Sequence, residues 1–341
     1  MKVLVTGHHG YIGSVTVPVL RAAGHDVTGL DSLLYDGCDL YDGEGPPSAL
    51  RVDVRDVEPG HLEGFDAVVH LAALSNDPLG DLDPELTMAI NYEGTVRVAR
   101  AAKEAGVGRF VFASSCSMYG AADSNDPVDE SAPLSPLTAY AESKVRSEEV
   151  LADMASDGFA PVFMRNATAY GASPRLRLDI VLNNLVGWAL TTGAVRILSD
   201  GTPWRPLVHV EDIARATLGV LEAPEGAIRG QAFNVGRDDE NYQVRELAEV
   251  VQRTVGDCTV EFGGSGDPDP RSYRVDFGKF AAAFPDVRLS WTAERGAAEL
   301  LDAYRAAGMT FDDFDGDRFT RLKHLRERLA RGDLDEDLRP R

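Results

Sequence analysis

The chain has 341 residues, 44% hydrophobic and 26% charged, which is typical of a globular protein. Its net charge is −21, so its surface repels phosphate backbones and anionic lipid, and we expect neither nucleic acid nor a membrane as a partner. No run of about 18 apolar residues predicts a bilayer span, and three widely separated cysteines favour a reducing, cytoplasmic location without disulfides.

Short apolar runs alternate with helical patterns through the first half of the chain. Strands are predicted over residues 2–7, 25–31, 49–54, 66–73, 109–115 and 160–167. Helices are predicted after the first strand, over about 83–105, and from about residue 138 onward. Continuous apolar strands joined by helices predict a parallel sheet covered on both faces, in a Rossmann-type doubly wound α/β fold.

The alternation loosens after about residue 167. Helical patterns recur at about 178–191, 210–222, 243–255 and 293–306, between stretches that contain proline. We predict one domain over residues 1–167 and a smaller mixed α/β domain over 168–341, with segments such as about 206–236 returning to pack on the first domain. The charged stretch from Asp317 onward predicts a solvated helix and tail.

The segment TGHHGYIG joins the first strand to the first helix. It places Gly7, Gly10 and Gly13 where the backbone turns tightly and helix N–H groups attract a pyrophosphate, which indicates a dinucleotide site. Asp31 ends the second strand, where a carboxylate can accept the ribose hydroxyls of NAD and would repel the 2′-phosphate of NADP. Asp53, after the third strand, is placed to meet the adenine amino group. Either carboxylate could instead cap a turn.

Two adjacent histidines, His8 and His9, lie in the same loop, and His70 ends the fourth strand. A metal site would need carboxylates or cysteines at a suitable spacing, and the sequence has none there. We therefore predict no metal.

Tyr140 and Lys144, in the segment YAESK, share one helix face because they are four positions apart. A nearby ammonium favours a phenolate, which can exchange a proton with a sugar hydroxyl. Ser115 ends the fifth strand, and its hydroxyl is predicted to reach the same crevice and share the substrate proton. These three side chains predict an acid–base site beside the dinucleotide.

Together these segments resemble the extended short-chain dehydrogenase/reductases, and among them the NAD-dependent sugar-nucleotide epimerase/dehydratase family. The resemblance covers at least residues 2 to about 285. It is carried by TGHHGYIG, DVRD, HLAA, INYEGT, SSCSMYG, YAESK, RNATAYG, DGTPWRPLVHVEDIARA and RSYRVDFGKF. It implies that Ser115, Tyr140 and Lys144 are catalytic, that residues 1–167 bind NAD, and that residues 168–341 mainly bind substrate.

The resemblance also implies the residues that contact each ligand. Contacts with the cofactor are implied for Gly7, Gly10, Tyr11, Ile12, Gly13, Asp31, Asp53, Val54, Leu71, Ala72, Ala73, Asn91, Tyr140 and Lys144. Contacts with a nucleotide-diphosphate sugar are implied for Ser115, Cys116, Ser117, Thr168, Asn184, Arg205 and Arg271. The two arginines match those that clamp the substrate diphosphate, although either could instead form an ion pair within the protein. Relatives pair through two long helices, here about 83–105 and 138–157, so a homodimer is implied.

The chemistry implied by the resemblance depends on positions 116 and 117. Dehydratases carry an Asp-Glu pair where this chain has Cys116 and Ser117, and UDP-glucuronate decarboxylases carry Glu at the place of Ser117. An epimerase is therefore implied, most simply at C4, which moves a hydride from the sugar to NAD and returns it on the opposite face. A 4-ketoreductase or dehydrogenase of a modified sugar nucleotide, and a non-catalytic dinucleotide-binding protein, are the alternatives.

Two positions depart from the family pattern. A cysteine protonates a carbanion in 3,5-epimerases, but there it stands one residue later, so we interpret Cys116 as a packed residue. Thr168 stands where the family usually has Asn, and Asn166 lies two positions earlier. The identity of the sugar nucleotide therefore stays open.

Overall fold

The computed structural model describes residues 1–75, 83–121, 126–197, 199–263 and 271–341. The strands of the first half are β1 (Lys2–Thr6), β2 (Asp26–Asp31), β3 (Ser48–Arg51), β4 (Ala67–His70), β5 (Arg109–Ser115) and β6 (Ala160–Asn166). The helices are α1 (Gly13–Ala22), α2 (Pro84–Met88), α3 (Gly94–Glu104) and α4 (Ala139–Met154). A single π-helical turn, Ala89–Glu93, joins α2 to α3.

The second half continues with shorter elements. Its strands are β7 (Thr168–Tyr170), β8 (Ala194–Ile197), β9 (Trp204–His209), β10 (Gln231–Val235), β11 (Asn241–Gln243) and β12 (Thr259–Phe262). Its helices are α5 (Val181–Thr192), α6 (Val210–Glu222), α7 (Glu225–Ile228), α8 (Val244–Val255), α9 (Gly278–Ala283), α10 (Ala293–Ala306), α11 (Phe311–Asp315) and α12 (Arg321–Arg331). Within the described ranges, no helix is both long enough and apolar enough to cross a bilayer.

Seven parallel strands form the main sheet, in the order β10-β6-β5-β4-β1-β2-β3. In register, Thr6 lies beside His70, and Ser115 lies beside Asn166, so the carboxyl ends of the strands share one edge. The strand order changes direction between β1 and β4, and ligands of such sheets bind at that edge. The predicted doubly wound class is confirmed.

Helices cover both faces of this sheet. On one face, Leu20 of α1 and Val220 of α6 pack in the cluster that contains Val3 and Val5 of β1. On the other face, Val98 of α3 and Leu151 of α4 pack with Leu4 and Phe110. Removal of this apolar area from water is the main term that stabilises the fold.

The second half adds two small sheets, one in the order β11-β9-β7 and one that pairs β12 with β8. A separate apolar cluster joins them to α5, α8 and α10. Strand β10 lies within the segment predicted to return to the first domain, and it pairs with β6 at the edge of the main sheet. The boundary after residue 167 stays a prediction.

The C-terminal stretch is packed, although its charged sequence predicts a solvated tail. Residues 321–341, called the C-terminal strap below, lie against the first half of the chain. Leu325, Leu334 and Leu338 are each at most 5% exposed and pack in the cluster that holds Leu34 and Val54. Three leucines spread among many charges do not reveal such a contact, because their partners lie about 280 residues earlier in the chain.

Replacing Leu325 by Ala should lower the free energy of unfolding by about 2–5 kcal/mol, because the side chain is buried and its removal leaves a cavity. Arg326→Ala, an exposed change on the same helix, should change it by less than about 0.5 kcal/mol. Denaturant unfolding of both variants measures the difference. Equal stability of the two variants would show that the strap is not part of the core.

Candidate active site

A cavity of about 770 Å³ opens at the carboxyl edge of the main sheet. Predicted site residues that line it are Gly7, Gly10, Tyr11, Ile12, Gly13, Asp31, Asp53, Val54, Leu71, Ala72, Ala73, Ser115, Ser117, Tyr140, Lys144, Thr168, Asn184, Arg205 and Arg271. The structure therefore brings the glycine turn, the acid–base residues and the two arginines to one place. It does not bring Asn91 or Cys116 to the wall of this cavity.

The glycine turn between β1 and α1 leaves no room for side chains. Gly7 has a φ of +72°, and a Cβ there would lie 2.7 Å from the backbone nitrogen of Ala72. A Cβ on Gly13 would lie 2.2 Å from the carbonyl oxygen of Gly7. Only glycine allows the strand, the turn and the helix start to approach this closely. The turn thus allows a ligand to approach the backbone at the start of α1, which suits the pyrophosphate of a dinucleotide.

Asp31 is held at the end of β2 by two backbone amides. His9 N–H donates to Oδ2 at 3.0 Å, and Leu33 N–H donates to Oδ1 at 2.8 Å. Each carboxylate oxygen keeps further lone pairs, and the residue lines the cavity. This geometry orients a carboxylate that can accept ribose hydroxyls.

Asp53 stabilises its own loop and also lines the cavity. It caps the turn Val54–Asp56, and its two carboxylate oxygens accept hydrogen bonds from the Arg55 guanidinium at 2.9 and 2.7 Å. Burial would raise the pKa of Asp53, but the bonds from Arg55 outweigh it and lower that pKa. A contact with the adenine amino group would share a carboxylate that is already paired.

Helix α4 presents Tyr140 and Lys144 to the cavity. Thr138 caps the helix by accepting from Ala141 N–H at 3.2 Å, which fixes the turn that carries Tyr140. The Lys144 ammonium nitrogen lies 5.6 Å from the centre of the Tyr140 ring and donates to the Ala113 carbonyl at 2.7 Å. The i, i+4 spacing therefore places the amine beside the phenol ring, as the sequence predicts.

Lys144 is only 3% exposed. Burial lowers its pKa to about 7, and the Glu148 carboxylate offsets only part of this effect. Glu148 is itself committed to Arg165, which donates to it at 2.7 Å. In the absence of ligands the amine therefore loses its proton near neutral pH, so it can exchange protons with its surroundings.

Ser115 lies where β5 ends and a short helical turn begins. Its hydroxyl donates to Ser117 Oγ at 2.9 Å and accepts from Ser117 N–H at 3.2 Å. Both serines line the cavity, in line with their prediction as site residues. Neither position carries a carboxylate that could remove a proton from carbon.

Two arginines predicted to hold the substrate diphosphate meet in the structure. The Arg205 guanidinium donates to the backbone carbonyls of Trp204, at 2.7 Å, and of Arg271. Arg205 is 8% exposed, and both arginines line the cavity. Both arginines therefore bring positive charge to the cavity wall, which suits an anionic ligand.

Thr168 and Asn184 line the cavity together with Asn166. Asn184 is oriented by a bond from its side-chain nitrogen to the Leu178 carbonyl at 2.9 Å. The side-chain oxygen of Asn166 is buried and has no hydrogen-bond partner among the described residues. Asn166 is therefore a further candidate to bind the ligand, two positions before the Thr168 that the family pattern indicates.

Asn91 lies behind the cavity rather than in its wall. It sits on the π-helical turn, is 1% exposed, and bonds the backbone of Leu74 through both ends of its amide, at 2.7 and 3.0 Å. Leu74 itself lines the cavity. We therefore reassign Asn91 from a direct cofactor contact to a residue that fixes the loop after β4.

Cys116 points away from the cavity. Its side chain is 0% exposed, and its thiol donates to the Arg165 carbonyl at 3.1 Å. Burial raises the pKa of this thiol well above its ordinary value. The Cys116 side chain follows the end of β5 and faces the protein core. Its position therefore does not support the predicted contact with substrate.

The loop and strand histidines lie against other parts of the protein, and His9 contacts the Arg175 guanidinium through its Nε2. His70 is bonded on one side to Thr6 at 2.8 Å and on the other to Thr95 at 2.9 Å. Burial, with a smaller effect of Lys144, lowers the pKa of His70 to about 3, so the ring stays neutral. The ring of His8 packs against Gly29. No group of three or more His, Cys, Asp or Glu residues in the described ranges could hold a metal ion.

Three arginines of the cavity wall were not predicted from the sequence: Arg177, Arg196 and Arg321. Arg177 lies in SPRLRLD, soon after β7. Its position in the sequence, close to the carboxyl edge of the sheet, could have indicated that it reaches the cavity. Arg321 belongs to the C-terminal strap, and nothing in its local sequence indicates the cavity.

The observations fit a bound dinucleotide. The glycine turn has no space for a Cβ at two positions, Asp31 is oriented by backbone amides, and buried polar groups face the cavity. A chain of this charge also needs local cations to hold any ligand with phosphate groups.

Known proteins share both the sequence and the fold. The chain is 33% identical over 270 residues to a UDP-glucose 4-epimerase of Mycolicibacterium smegmatis. This match covers 75% of this chain and 83% of that protein. The solved UDP-glucose-4-epimerase of Stenotrophomonas maltophila, with bound NAD and formylated UDP-arabinopyranose, is 25% identical with a TM-score of 0.78, and covers 90% of this chain and 99% of its own. The solved structure of DesIV, the dTDP-glucose 4,6-dehydratase of Streptomyces venezuelae with bound NAD and TYD, is 28% identical with a TM-score of 0.77. The match covers 90% of this chain and 97% of that chain.

A family model described as "NAD dependent epimerase/dehydratase family" matches residues 3–236. This range holds the glycine turn, Asp31 and the Ser115, Tyr140 and Lys144 group. The chain belongs to the NAD-dependent epimerase/dehydratase family.

Proposed function

We propose that the protein is an NAD-dependent 4-epimerase of a nucleotide-diphosphate sugar, with a UDP-hexose as the first substrate to test. One observation carries the proposal. Tyr140 and Lys144 line the same cavity as the glycine turn and the two arginines, while positions 116 and 117 provide no carboxylate. The UDP-glucose 4-epimerase from M. smegmatis supports both the reaction and the nucleotide.

Bound NAD would supply reversible hydride exchange with the sugar carbon. The glycine turn and Asp31 would hold its pyrophosphate and ribose. Tyr140 would take the proton of the sugar hydroxyl and return it when the configuration has changed. Lys144 stands 5.6 Å from the Tyr140 ring and would share that proton, and the Ser115 hydroxyl would hold the sugar oxygen in place through a hydrogen bond.

Dehydration is disfavoured by the same site. A dehydratase must remove a proton from carbon and expel a hydroxyl, which needs an acid and a base beside the catalytic serine. Here Cys116 is buried against the Arg165 carbonyl, and Ser117 offers only a hydroxyl that accepts from Ser115. The likeness to DesIV therefore extends to the fold and NAD rather than to this chemistry.

We also propose a homodimer in the cytoplasm. Helices α3 and α4 present exposed charges of both signs, Arg97 and Arg100 on α3 and Arg146 and Glu149 on α4, which two copies could pair across a two-fold axis. Sedimentation equilibrium should give twice the chain mass of 36.8 kDa. A mass of one chain at micromolar concentration would contradict the dimer.

Epimerisation should proceed without added cofactor. Purified protein given UDP-glucose or UDP-galactose should reach one common ratio of the two sugars from either side, because each cycle returns the hydride. Proton NMR of the anomeric signals measures the ratio. Conversion that occurs only while added NADH is consumed would instead support the ketoreductase alternative.

Tyr140→Phe should reduce the rate of that reaction by about 10²–10⁴-fold, because the proton acceptor is lost. The NAD content after purification should be unchanged, as measured by mass spectrometry of the denatured protein. Tyr41→Phe is a matched control, because Tyr41 is 44% exposed. Full activity of the Tyr140 variant would reject the assigned base.

Lys144 should titrate near pH 7 in the NAD-free protein. The chain has five lysines, so NMR of ¹³Cε-labelled lysine can resolve each one, and Lys144→Met should remove the signal that moves near pH 7. Between pH 7 and the ordinary value of 10.5, the unfolded chain binds more protons at this site. The stability of the fold should therefore gain from rising pH in this window. Five lysines that all titrate above pH 9 would contradict the prediction.

A further inference from the structure

The C-terminal strap places a buried cation in the wall of the cavity. Arg321, the first residue of α12, lines the cavity and is 3% exposed. Its Nη2 donates to the Arg175 carbonyl at 3.2 Å, but its Nη1 is buried without a hydrogen-bond partner among the described residues. A buried donor that is left unpaired is costly unless a ligand satisfies it.

The surroundings of Arg321 do not neutralise its charge. The guanidinium lies 4.2 Å from the centre of the Tyr35 ring and close to the Cys38 thiol. Burial raises the pKa of Tyr35 to about 12 and also raises the pKa of Cys38, so both groups are uncharged at neutral pH. The Asp179 carboxylate also acts on Arg321, but both of its oxygens accept hydrogen bonds from another arginine.

That other arginine is Arg177, which also lines the cavity. Its Nε and Nη2 donate to the two oxygens of Asp179 at 2.9 and 3.1 Å. Its Nη1 donates to Ser75 Oγ at 2.9 Å. Two guanidinium groups and one carboxylate leave this part of the wall with one excess positive charge, which suits a phosphate.

The position of Arg321 favours the cofactor over the sugar nucleotide. Tyr35, on which it stacks, follows Asp31 by four residues in the loop after β2, where the adenosine half of a dinucleotide binds. Arg328 of the same helix donates to the carbonyls of Leu33 and Leu34 in that loop at 2.8 and 2.9 Å. Arg205 and Arg271, which are joined by a bond from the Arg205 guanidinium to the Arg271 carbonyl, line the same cavity and are the residues implied for the sugar nucleotide.

We propose that Arg321 binds a phosphate of the NAD pyrophosphate, and that the C-terminal strap thereby retains the cofactor. The proposal rests on the use of NAD and not on which sugar is epimerised. The shared chemistry is a diphosphate, which both NAD and the sugar nucleotide contain. The experiment must therefore separate these two sources.

Arg321→Gln should weaken NAD binding to cofactor-stripped protein by about 10- to 100-fold, because one charge-assisted hydrogen bond is lost. Isothermal titration calorimetry measures this, with adenosine as a second ligand whose affinity should not change. UDP binding to NAD-loaded protein should also be unchanged. Arg326→Gln, an exposed change on the same helix, is the matched control and should bind NAD like the wild type.

Three results would overturn the proposal. A loss of UDP affinity with NAD affinity intact would assign Arg321 to the substrate. Equal losses of affinity for NAD and for adenosine would show a general disturbance of the pocket. Unchanged affinity for NAD together with lower stability of the variant would show that Arg321 is a purely structural residue. If Arg321→Gln does not fold, Arg321→Lys keeps the charge without the planar fork and should give a smaller loss for NAD alone. If the protein lacks epimerase activity but Arg321→Gln still weakens NAD binding as expected, only the proposed function is rejected.

Discussion

The placement of positive charge beside one cavity is the constraint on which this structure depends. The chain carries a net charge of −21, yet its family binds NAD, which has two phosphates. Arg205 and Arg321 are each less than 9% exposed and both line the cavity. Interactions over a few ångströms in a poorly solvated site are strong, whereas the charges of the outer surface are screened by salt. A strongly acidic protein can therefore hold an anionic cofactor.

The sequence predicted the parts of the site that depend on local rules. Steric limits fix the glycine turn, and the helix period places Tyr140 and Lys144 on one face. The ends of parallel strands gather at one edge, which brings Ser115 and Asp31 to the same cavity. Each of these inferences needs only a short segment and its neighbours, so the sheet and the main site can be predicted from the sequence.

The rest depended on contacts between distant segments or on the direction of a single side chain. Cys116 and Ser117 are adjacent, but only Ser117 faces the cavity, because the chain turns there from strand into helix. Asn91 acts through the loop at Leu74, since the π-helical turn directs its amide to that backbone. The packing of the charged tail could not be predicted, because few of its residues are apolar and their partners are remote in sequence.

The bond between Arg328 and the loop after β2 joins residues 295 positions apart. Such a contact can form only after nearly all the chain has been synthesised, and its loop-closure entropy is large. Six of the seven strands of the main sheet lie within the first 166 residues, whereas the cavity wall that includes Arg321 needs the C-terminal strap. The complete cavity therefore depends on nearly the whole length of the chain, whereas most of the sheet does not.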